Sequence, residues 1–248
     1  MKILVTNDDG INARGLEILE SIANEMGDTV VVAPETEQSG VSHAITLLRA
    51  LRVRQINEKR FAIDGTPTDC AFIAINHLME DRPDLILSGI NAGPNLGYDV
   101  MYSGTVAAAV EGALKGIPSI AVSLVSGFDN MDSALEPART AINAVWPLIR
   151  KKPMAVNINI PDPTAIKGYR AARLGQRKYS GDVIVRTDPR GRDYLWIGGS
   201  RVFMDNEDDT DCGLIQQNYV TISPLGINLV DGQYMNDIIQ VVQTIKEG

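Results

Sequence analysis

The feature that most constrains the fold is an alternation of short apolar runs with an amphipathic segment near the start of the chain. Residues 3–5 (ILV) form an apolar run that a polar, glycine-containing stretch ends at once, and residues 29–33 (TVVVA) form a second. Between them, residues 15–26 carry apolar side chains at helical spacing. A strand, a helix and a second strand in this order favour a parallel, right-handed crossover. We therefore predict an α/β fold.

The same alternation continues along the first part of the chain. The predicted elements are a hairpin within 45–63, a helix that begins at Pro67 after the cap Thr66, a strand at 84–89, a helix at 106–115, a strand at 119–124, a helix at 133–149 and a strand at 155–160. The last strand alternates polar and apolar residues, which predicts one polar face. Pro161 follows it, and we place the end of a first domain, residues 1–160, there.

Residues 161–248 have a different, more basic character at their start. The turn 188–191 (DPRG) lies between two apolar runs and predicts a protruding β-hairpin, and 218–223 (NYVTIS) predicts a last strand. Residues 233–246 have the spacing of an amphipathic helix. The acidic run 205–209 lacks the glycine and spacing of an EF-hand loop, so we interpret it as a solvated loop.

Composition narrows the function classes. The chain has 248 residues, 44% hydrophobic and 22% charged, with a formal net charge of −8. This acidic balance argues against a general nucleic-acid binder and makes any anionic substrate depend on a local cation or on backbone dipoles. Cys70 and Cys212 lie far apart without a CxxC motif, and no apolar stretch approaches the roughly 18 residues of a membrane span. We expect a cytoplasmic protein without a membrane partner.

Two adjacent carboxylates, Asp8 and Asp9, follow the first predicted strand. Ligands of open α/β sheets bind at the carboxyl ends of strands, and paired carboxylates there repel each other unless a cation lies between them. The two histidines of the chain are too few for an imidazole zinc cage, so oxygen ligands and Mg²⁺, Mn²⁺ or Ca²⁺ are favoured. The first turn also lacks the G-x-G-x-x-G of a dinucleotide site.

Two further loops carry polar candidates. The loop 34–43 follows the second strand and contains Ser39, Ser42 and His43. The glycine-rich loop 89–97 follows the third strand and contains Asn91 and Asn95. It leads to a helix start at Ser103, Gly104 and Thr105, where Ser103 suits the N-cap and bare backbone N–H groups can bind phosphate.

These segments together resemble the SurE family of metal-dependent nucleotidases, which act on nucleoside monophosphates. The resemblance rests on ILVTNDDG, on VAPETEQSG with SHAIT after it, on GTPTDC, and on SGINAGPNLGYDVMYSGTVAAAVEGALKGIPSIAVS. It implies one divalent metal per subunit, Mg²⁺ or Mn²⁺, held by the residues that match the family's ligands: Asp8, Asp9, Ser39 and Asn91. It also implies that the substrate phosphate is surrounded by Asn95, Ser103, Gly104 and Thr105.

The resemblance carries an expectation for architecture as well. It implies a Rossmann-like, three-layer N-terminal domain with a mixed, mostly parallel sheet, and a smaller C-terminal region with an extended hairpin and a terminal helix. It further implies dimers or tetramers that exchange C-terminal elements, which would give residues 161–248 a role in oligomerisation.

Several alternatives stay open on sequence alone. A water molecule can attack the phosphorus with an aspartate as base, or Asp8 can attack directly to form an aspartyl phosphate; we favour water. A zinc-dependent deacetylase is one competing function class, but its metal site would need histidines near the aspartate pair. A non-catalytic nucleotide-binding protein is another, and it would bind nucleotide without releasing phosphate. The preferred base, the 5′ or 3′ position and any action on polyphosphate are not determined.

Overall fold

The computed structural model describes residues 1–198, 202–230 and 232–245. The strands are β1 (Lys2–Thr6), β2 (Asp28–Pro34), β3 (Val53–Asn57), β4 (Arg60–Ile63), β5 (Leu85–Ala92), β6 (Ser119–Leu124), β7 (Ala155–Ile160), β8 (Gly168–Ala171), β9 (Arg177–Tyr179), β10 (Val183–Thr187), β11 (Asp193–Ile197), β12 (Val202–Met204) and β13 (Tyr219–Leu225). The α-helices are α1 (Arg14–Met26), α2 (Pro67–Ile73), α3 (Gly104–Leu114), α4 (Leu135–Ile149), α5 (Asp211–Gln216) and α6 (Gly232–Ile245). Short 3₁₀ turns cover Gly97–Met101, Gly127–Ala134 and Pro163–Ala165, and a π-helical turn covers Ala74–Leu78.

Nine of the described strands form one mixed sheet, in the order β3-β4-β2-β1-β5-β6-β7-β13-β8. The strands from β2 through β7 in this order run parallel, whereas β3 is antiparallel to β4 and β13 is antiparallel to β7. The predicted α/β class with a mostly parallel sheet is therefore confirmed. Since β13 and β8 extend the same sheet beyond β7, the division after residue 160 stays a prediction.

Helices cover both faces of the sheet and make three layers. Along β1, Ile3 and Val5 belong to the core that includes α1 and α4, while Leu4 belongs to the core that includes α2 and α3. The three side chains are fully buried. A strand covered on both sides needs a continuous apolar run, which is what the sequence supplies at this position.

The predicted strand β7 forms, and its two asparagines share one face as predicted. Both faces of the strand are buried, so this polar face lies inside the protein. Asn157 and Asn159 are fully buried because β6 and β13 flank the strand and α3 lies across it. Their side chains make hydrogen bonds inside the protein, as buried polar groups do.

The predicted hairpins form, with adjusted limits. β10 and β11 pair antiparallel around the turn at 188–191, and β9 pairs with β12 beside them. The earlier hairpin, β3 and β4, begins at Val53, so residues 45–52 lie outside the strands. The C-terminal helix α6 is described to Ile245, and Lys246 of the predicted span lies outside the described residues. Among the described helices, none has the length and apolar content needed to cross a membrane.

Candidate active site

The carboxylate of Asp8 lies at the junction of β1 and the N-terminus of α3. Only 4% of Asp8 is exposed. Its Oδ2 accepts a hydrogen bond of 3.1 Å from the backbone N–H of Thr105, and its Oδ1 accepts one from the Thr105 hydroxyl. A Cβ on Gly104 would lie 2.9 Å from the Asp8 Cβ, so glycine permits this approach. The positive end of the α3 dipole thus faces an anionic side chain.

Asp9 points to the neighbouring strand end. Its Oδ2 accepts a hydrogen bond of 3.1 Å from the backbone N–H of Ala92, the last residue of β5. Burial, and next the charge of Asp8, raise the pKa of Asp9 to about 6. Burial also raises the pKa of Asp8, against the lowering effect of its bonds from Thr105. Both carboxylates are therefore costly to ionise, and a bound cation would offset that cost.

Asn91 reaches the same end of the sheet through an irregularity in β5. The register between β5 and β6 shifts between Ser88 and Asn91. A Cβ on Gly89 would lie 2.2 Å from the carbonyl oxygen of Val122, so no other residue fits there without movement. The amide nitrogen of Asn91 donates to the Gly93 carbonyl at 2.8 Å, which leaves the Oδ1 atom for another partner.

The loop after β2 brings Ser39 to the aspartates. The backbone N–H of Gln38 donates to the Asp8 carbonyl at 2.8 Å, and the N–H of Ser42 donates to the Tyr102 carbonyl at 2.9 Å. These two bonds fix the loop on either side of Ser39. The Ser39 hydroxyl donates to Glu37 at 2.7 Å, and its oxygen lone pairs stay available to a cation.

A cleft of about 360 Å³ joins most of the predicted site residues. It is lined by Asp8, Ser39, Asn91, Asn95 and Ser103, together with residues that the sequence did not single out, namely Asp99, Tyr102 and Tyr179. Asp9 lines an adjoining pocket. Among the described residues that line the cleft there is no lysine or arginine. An anionic ligand would thus meet acidic side chains unless a cation were bound.

Asn95 is held by four hydrogen bonds. Its backbone N–H donates to Asn159 Oδ1 at 2.9 Å, and its carbonyl accepts from the side-chain amides of Asn157 and Asn159 at 2.8 and 3.0 Å. Its own side-chain amide donates to the Ser123 hydroxyl at 2.8 Å. Asn157, Asn159 and Ser123 are fully buried, so Asn95 is presented by a rigid part of the sheet.

The helix start at residues 103–105 differs from its predicted role in one respect. Ser103 is the N-cap, as predicted, because its hydroxyl accepts a bond of 3.1 Å from the Val106 N–H. Both donors of Thr105, however, are directed at Asp8 and not at the cleft. The physical reason is that a side-chain carboxylate already occupies the positive end of α3.

Sequence reasoning missed a second group of residues in the cleft. The Asp99 carboxylate accepts a hydrogen bond from Arg177 and one of 3.2 Å from the Tyr179 hydroxyl. Arg177 and Tyr179 come from β9, far along the chain, so no local spacing could have placed them beside Asp99.

The histidines do not reach the cleft. His43 Nε2 lies 3.1 Å from Glu111 Oε2 on α3, and His77 is exposed on the π-helical turn. Within the described ranges, no group of three or more His, Cys, Asp or Glu side chains is arranged to hold a metal ion. A site at Asp8 and Asp9 therefore needs neutral oxygen ligands as well.

Comparison with known proteins bears on this geometry directly. Residues 3–181 match the family model described as Survival protein SurE. This chain belongs to the SurE family. The matched segment contains β1, the loop after β2, the glycine-rich loop and the start of α3, so the elements that build the cleft all lie within it.

Relatives match over nearly the whole chain. A protein of Myxococcus xanthus named 5′-nucleotidase SurE is 45% identical over 96% of this chain and 92% of its own length. A protein of Yersinia pseudotuberculosis named 5′/3′-nucleotidase SurE is 44% identical over 92% of this chain and 91% of its own length. The crystal structure of the SurE protein from Aquifex aeolicus, 34% identical, superposes with a TM-score of 0.83 and covers 97% of this chain and 99% of that chain.

Proposed function

We propose that this protein is a metal-dependent 5′-nucleotidase that hydrolyses nucleoside monophosphates to nucleoside and phosphate. The observation that carries the proposal is the cleft itself, where Asp8 and Asn91 meet Asn95 at the carboxyl end of the sheet. Its relatives are named for this activity. The cleft combines oxygen ligands for a cation with polar groups that can bind a phosphate. A metal-dependent phosphate hydrolase needs both sets of groups in one place.

The donor set fits a hard divalent cation. We assign one Mg²⁺ or Mn²⁺ per subunit to Asp8, Asp9, Ser39 and Asn91. Two carboxylates with raised pKa values, a hydroxyl and an amide oxygen are all oxygen ligands of the kind that these ions prefer. A bound divalent cation would polarise the phosphoryl group and lower the pKa of an attacking water molecule.

The protein's own residues divide the remaining work. Thr105 orients the Asp8 carboxylate through two hydrogen bonds. We assign the phosphate oxygens to the side chains of Asn95 and Ser103 and to the N–H of Gly104. These groups lie on a rigid loop and a helix start, so they need little reorganisation as negative charge develops in the transition state.

The structure favours water over Asp8 as the nucleophile. Both oxygens of Asp8 accept hydrogen bonds from Thr105, and the side chain is almost completely buried. A carboxylate held in this way is poorly placed to approach phosphorus in line. Among the described residues, Asp9 accepts a hydrogen bond at Oδ2 alone, and we assign its Oδ1 to take the proton from water. Recovery of a phosphorylated Asp8 after rapid quench would contradict this assignment.

The competing function is nucleotide binding without turnover. Phosphate release from 5′-AMP, 3′-AMP and GMP with Mn²⁺ or Mg²⁺ separates the two, because a binding protein alone would release none. We expect turnover that is lost in Asp8→Asn and in Asn91→Ala while far-UV circular dichroism and melting stay near wild type. Asn76→Ala, at an exposed asparagine on the π-helical turn, is the matched control and should keep full activity.

We also propose a homodimer or homotetramer in the cytoplasm. Large apolar side chains of the C-terminal region stay exposed in the single chain, among them Leu195, Trp196 and Ile238. A partner subunit would cover them. Both cysteines are free and buried, which fits a reducing compartment. No role in binding nucleic acid or membrane is assigned.

A further inference from the structure

We propose that Tyr179 forms the surface on which the nucleobase of the substrate stacks, held in place by Asp99 and Arg177. The inference rests on the proposed nucleotidase function, because it assigns the part of the cleft that would bind the nucleoside. It adds a specificity element from β9, in the C-terminal part of the chain, to a site otherwise built from the first half.

Tyr179 has the exposure and the position that stacking requires. Its ring lines the same cleft as Asp8, Asn91 and Asn95. Half of the residue, 50%, is exposed, although its hydroxyl is hydrogen-bonded within the protein. An open aromatic face beside a phosphate-binding cleft is suited to a base, because every nucleobase has a π-face and stacking does not depend on its hydrogen-bonding edge.

The orientation of the ring is fixed by its neighbours. The Tyr179 hydroxyl donates to Asp99 Oδ2 at 3.2 Å and accepts a hydrogen bond from Arg177. The Arg177 guanidinium also lies 5.0 Å from the centre of the ring. A cation at this distance covers one face of an aromatic ring, so the exposed surface of Tyr179 belongs to the other face and the edge.

Arg177 holds Asp99 and Tyr179 in place and does not bind the substrate phosphate. Its side chain is 13% exposed and pairs with Asp99, whose side chain is 10% exposed. A buried pair of this kind satisfies both charges internally, which leaves no net positive charge for a substrate. Asp99 precedes the Ser103 helix cap, and its carbonyl accepts the Ser103 N–H at 3.0 Å. One short segment thus connects the aromatic surface to the phosphate-binding helix start.

The test compares substrates with and without a base. In Tyr179→Ala, KM for AMP should rise by about 10- to 100-fold, the loss expected for one stacked aromatic contact. The kcat/KM for ribose 5-phosphate, which has no base, should change less than about twofold, since stacking contributes nothing to it. Tyr179→Phe keeps the ring and loses the hydroxyl, so its KM for AMP should lie between wild type and Tyr179→Ala.

Tyr98→Ala is the matched control. Tyr98 lies on the 3₁₀ turn Gly97–Met101 with 48% exposure, close to that of Tyr179, but it does not line the cleft. It should leave both substrates unaffected. Melting temperatures of all variants should stay close to wild type, because the replaced side chains are half exposed.

Several outcomes would overturn the inference. Equal losses of kcat/KM for AMP and for ribose 5-phosphate in Tyr179→Ala would mean that the residue only supports the structure. An unchanged KM for AMP, with the loss appearing in Tyr102→Ala, would place the base elsewhere in the cleft. If the wild-type protein released phosphate from neither compound, the nucleotidase function would fall and the stacking surface with it, whereas the first two results leave that function intact.

Discussion

Asp8 and Asp9 are neighbours in sequence, but the fold gives their carboxylates different surroundings. Asp8 is buried against the start of α3, and Asp9 lies partly open beside the end of β5. Both residues lie in the bend after β1, where the Asp8 carboxylate meets the start of α3 and the Asp9 carboxylate meets Ala92 at the end of β5. This difference is why we assign ligand binding to both and proton transfer to Asp9.

The raised pKa of Asp9 predicts a pH-dependent effect on stability. The pKa of Asp9 rises from 3.8 to about 6 in the folded protein, so the folded state favours the protonated carboxyl. This preference stabilises the metal-free protein fully below pH 3.8, and the stabilisation is lost as pH increases through about 6. Asp9→Asn removes the charge. It should unfold with the same free energy as wild type near pH 4. Above pH 7 without metal the change in pKa corresponds to about 3 kcal/mol, which solvent screening of this partly exposed group reduces to about 2 kcal/mol of added stability in the variant.

Urea unfolding of chelated protein at several pH values measures this difference. Saturating Mn²⁺ at pH 7.5 should reverse the order, because ligand binding stabilises only the protein that retains the carboxylate. Asp132→Asn, at an exposed aspartate that lines neither the cleft nor the adjoining pocket of Asp9, is the control. A stability difference that did not vary with pH would contradict the account.

The hydroxyl of Thr105 predicts an effect on metal affinity. Thr105→Val keeps the side-chain shape but removes the donor to Asp8, whereas Thr105→Ser keeps the donor. Loss of a group that orients a metal ligand typically weakens metal binding by about 10- to 100-fold. Calorimetric titration with Mn²⁺ should therefore give weaker binding for the valine variant alone, and equal affinities for both variants would show that Asp8 needs no such support.

Among the elements, β7 contributes to the site without lining the cleft. Asn157 and Asn159 form hydrogen bonds with the backbone of Asn95, and Ser123 on β6 accepts one from its side chain. Side chains in a cleft retain a precise geometry when their supports are themselves packed in a sheet. The glycine-rich loop can therefore be ordered even though glycine itself has high conformational freedom.

A pair of serine variants isolates this support. Ser123→Ala removes one bond to Asn95 and should lower kcat for AMP about fivefold, roughly 1 kcal/mol, with little change in melting. Ser223→Ala removes an equally buried hydroxyl that has no hydrogen-bond partner among the described residues. It should leave kcat unchanged. Similar losses in both variants would point to general packing instead of a contact with Asn95.

Several elements could be predicted from sequence because their signals are local. The unit β1-α1-β2, the cap at Ser103 and the hairpin β10-β11 each follow from a periodicity or a turn within a few residues. The burial of the polar face of β7 could not be predicted in this way. A period of two reports which residues share a face, but it does not report what covers that face.

Across the whole molecule, the parts of the site that sequence analysis missed are those formed at long range. Tyr179 reaches Asp99 only because β9 folds back over the turn at 97–101, and short strands such as β8 and β9 carry no alternation strong enough to predict them. Likewise, the pattern at residues 103–105 predicts an anion site, but it does not indicate that the N–H of Thr105 donates to Asp8.

The exposed apolar face of α6 predicts association of subunits. Ile238, Ile239 and Val242 are all about half exposed on one side of this helix. Ile238→Asp should shift the protein to a smaller species in light scattering after size exclusion, whereas Gln240→Asp on the same helix should not. A wild-type protein that is monomeric at micromolar concentration would contradict the proposed dimer or tetramer.

The central claim is that a cation at Asp8, Asp9, Ser39 and Asn91 enables phosphate release. The most direct measurement follows phosphate released from AMP as Mn²⁺ is returned to chelated protein, for wild type and for Asp8→Asn. The account predicts no turnover without metal, saturable activity in wild type with one metal per subunit, and at most residual activity in the folded variant. Full activity in the chelated protein, or in Asp8→Asn, would contradict it.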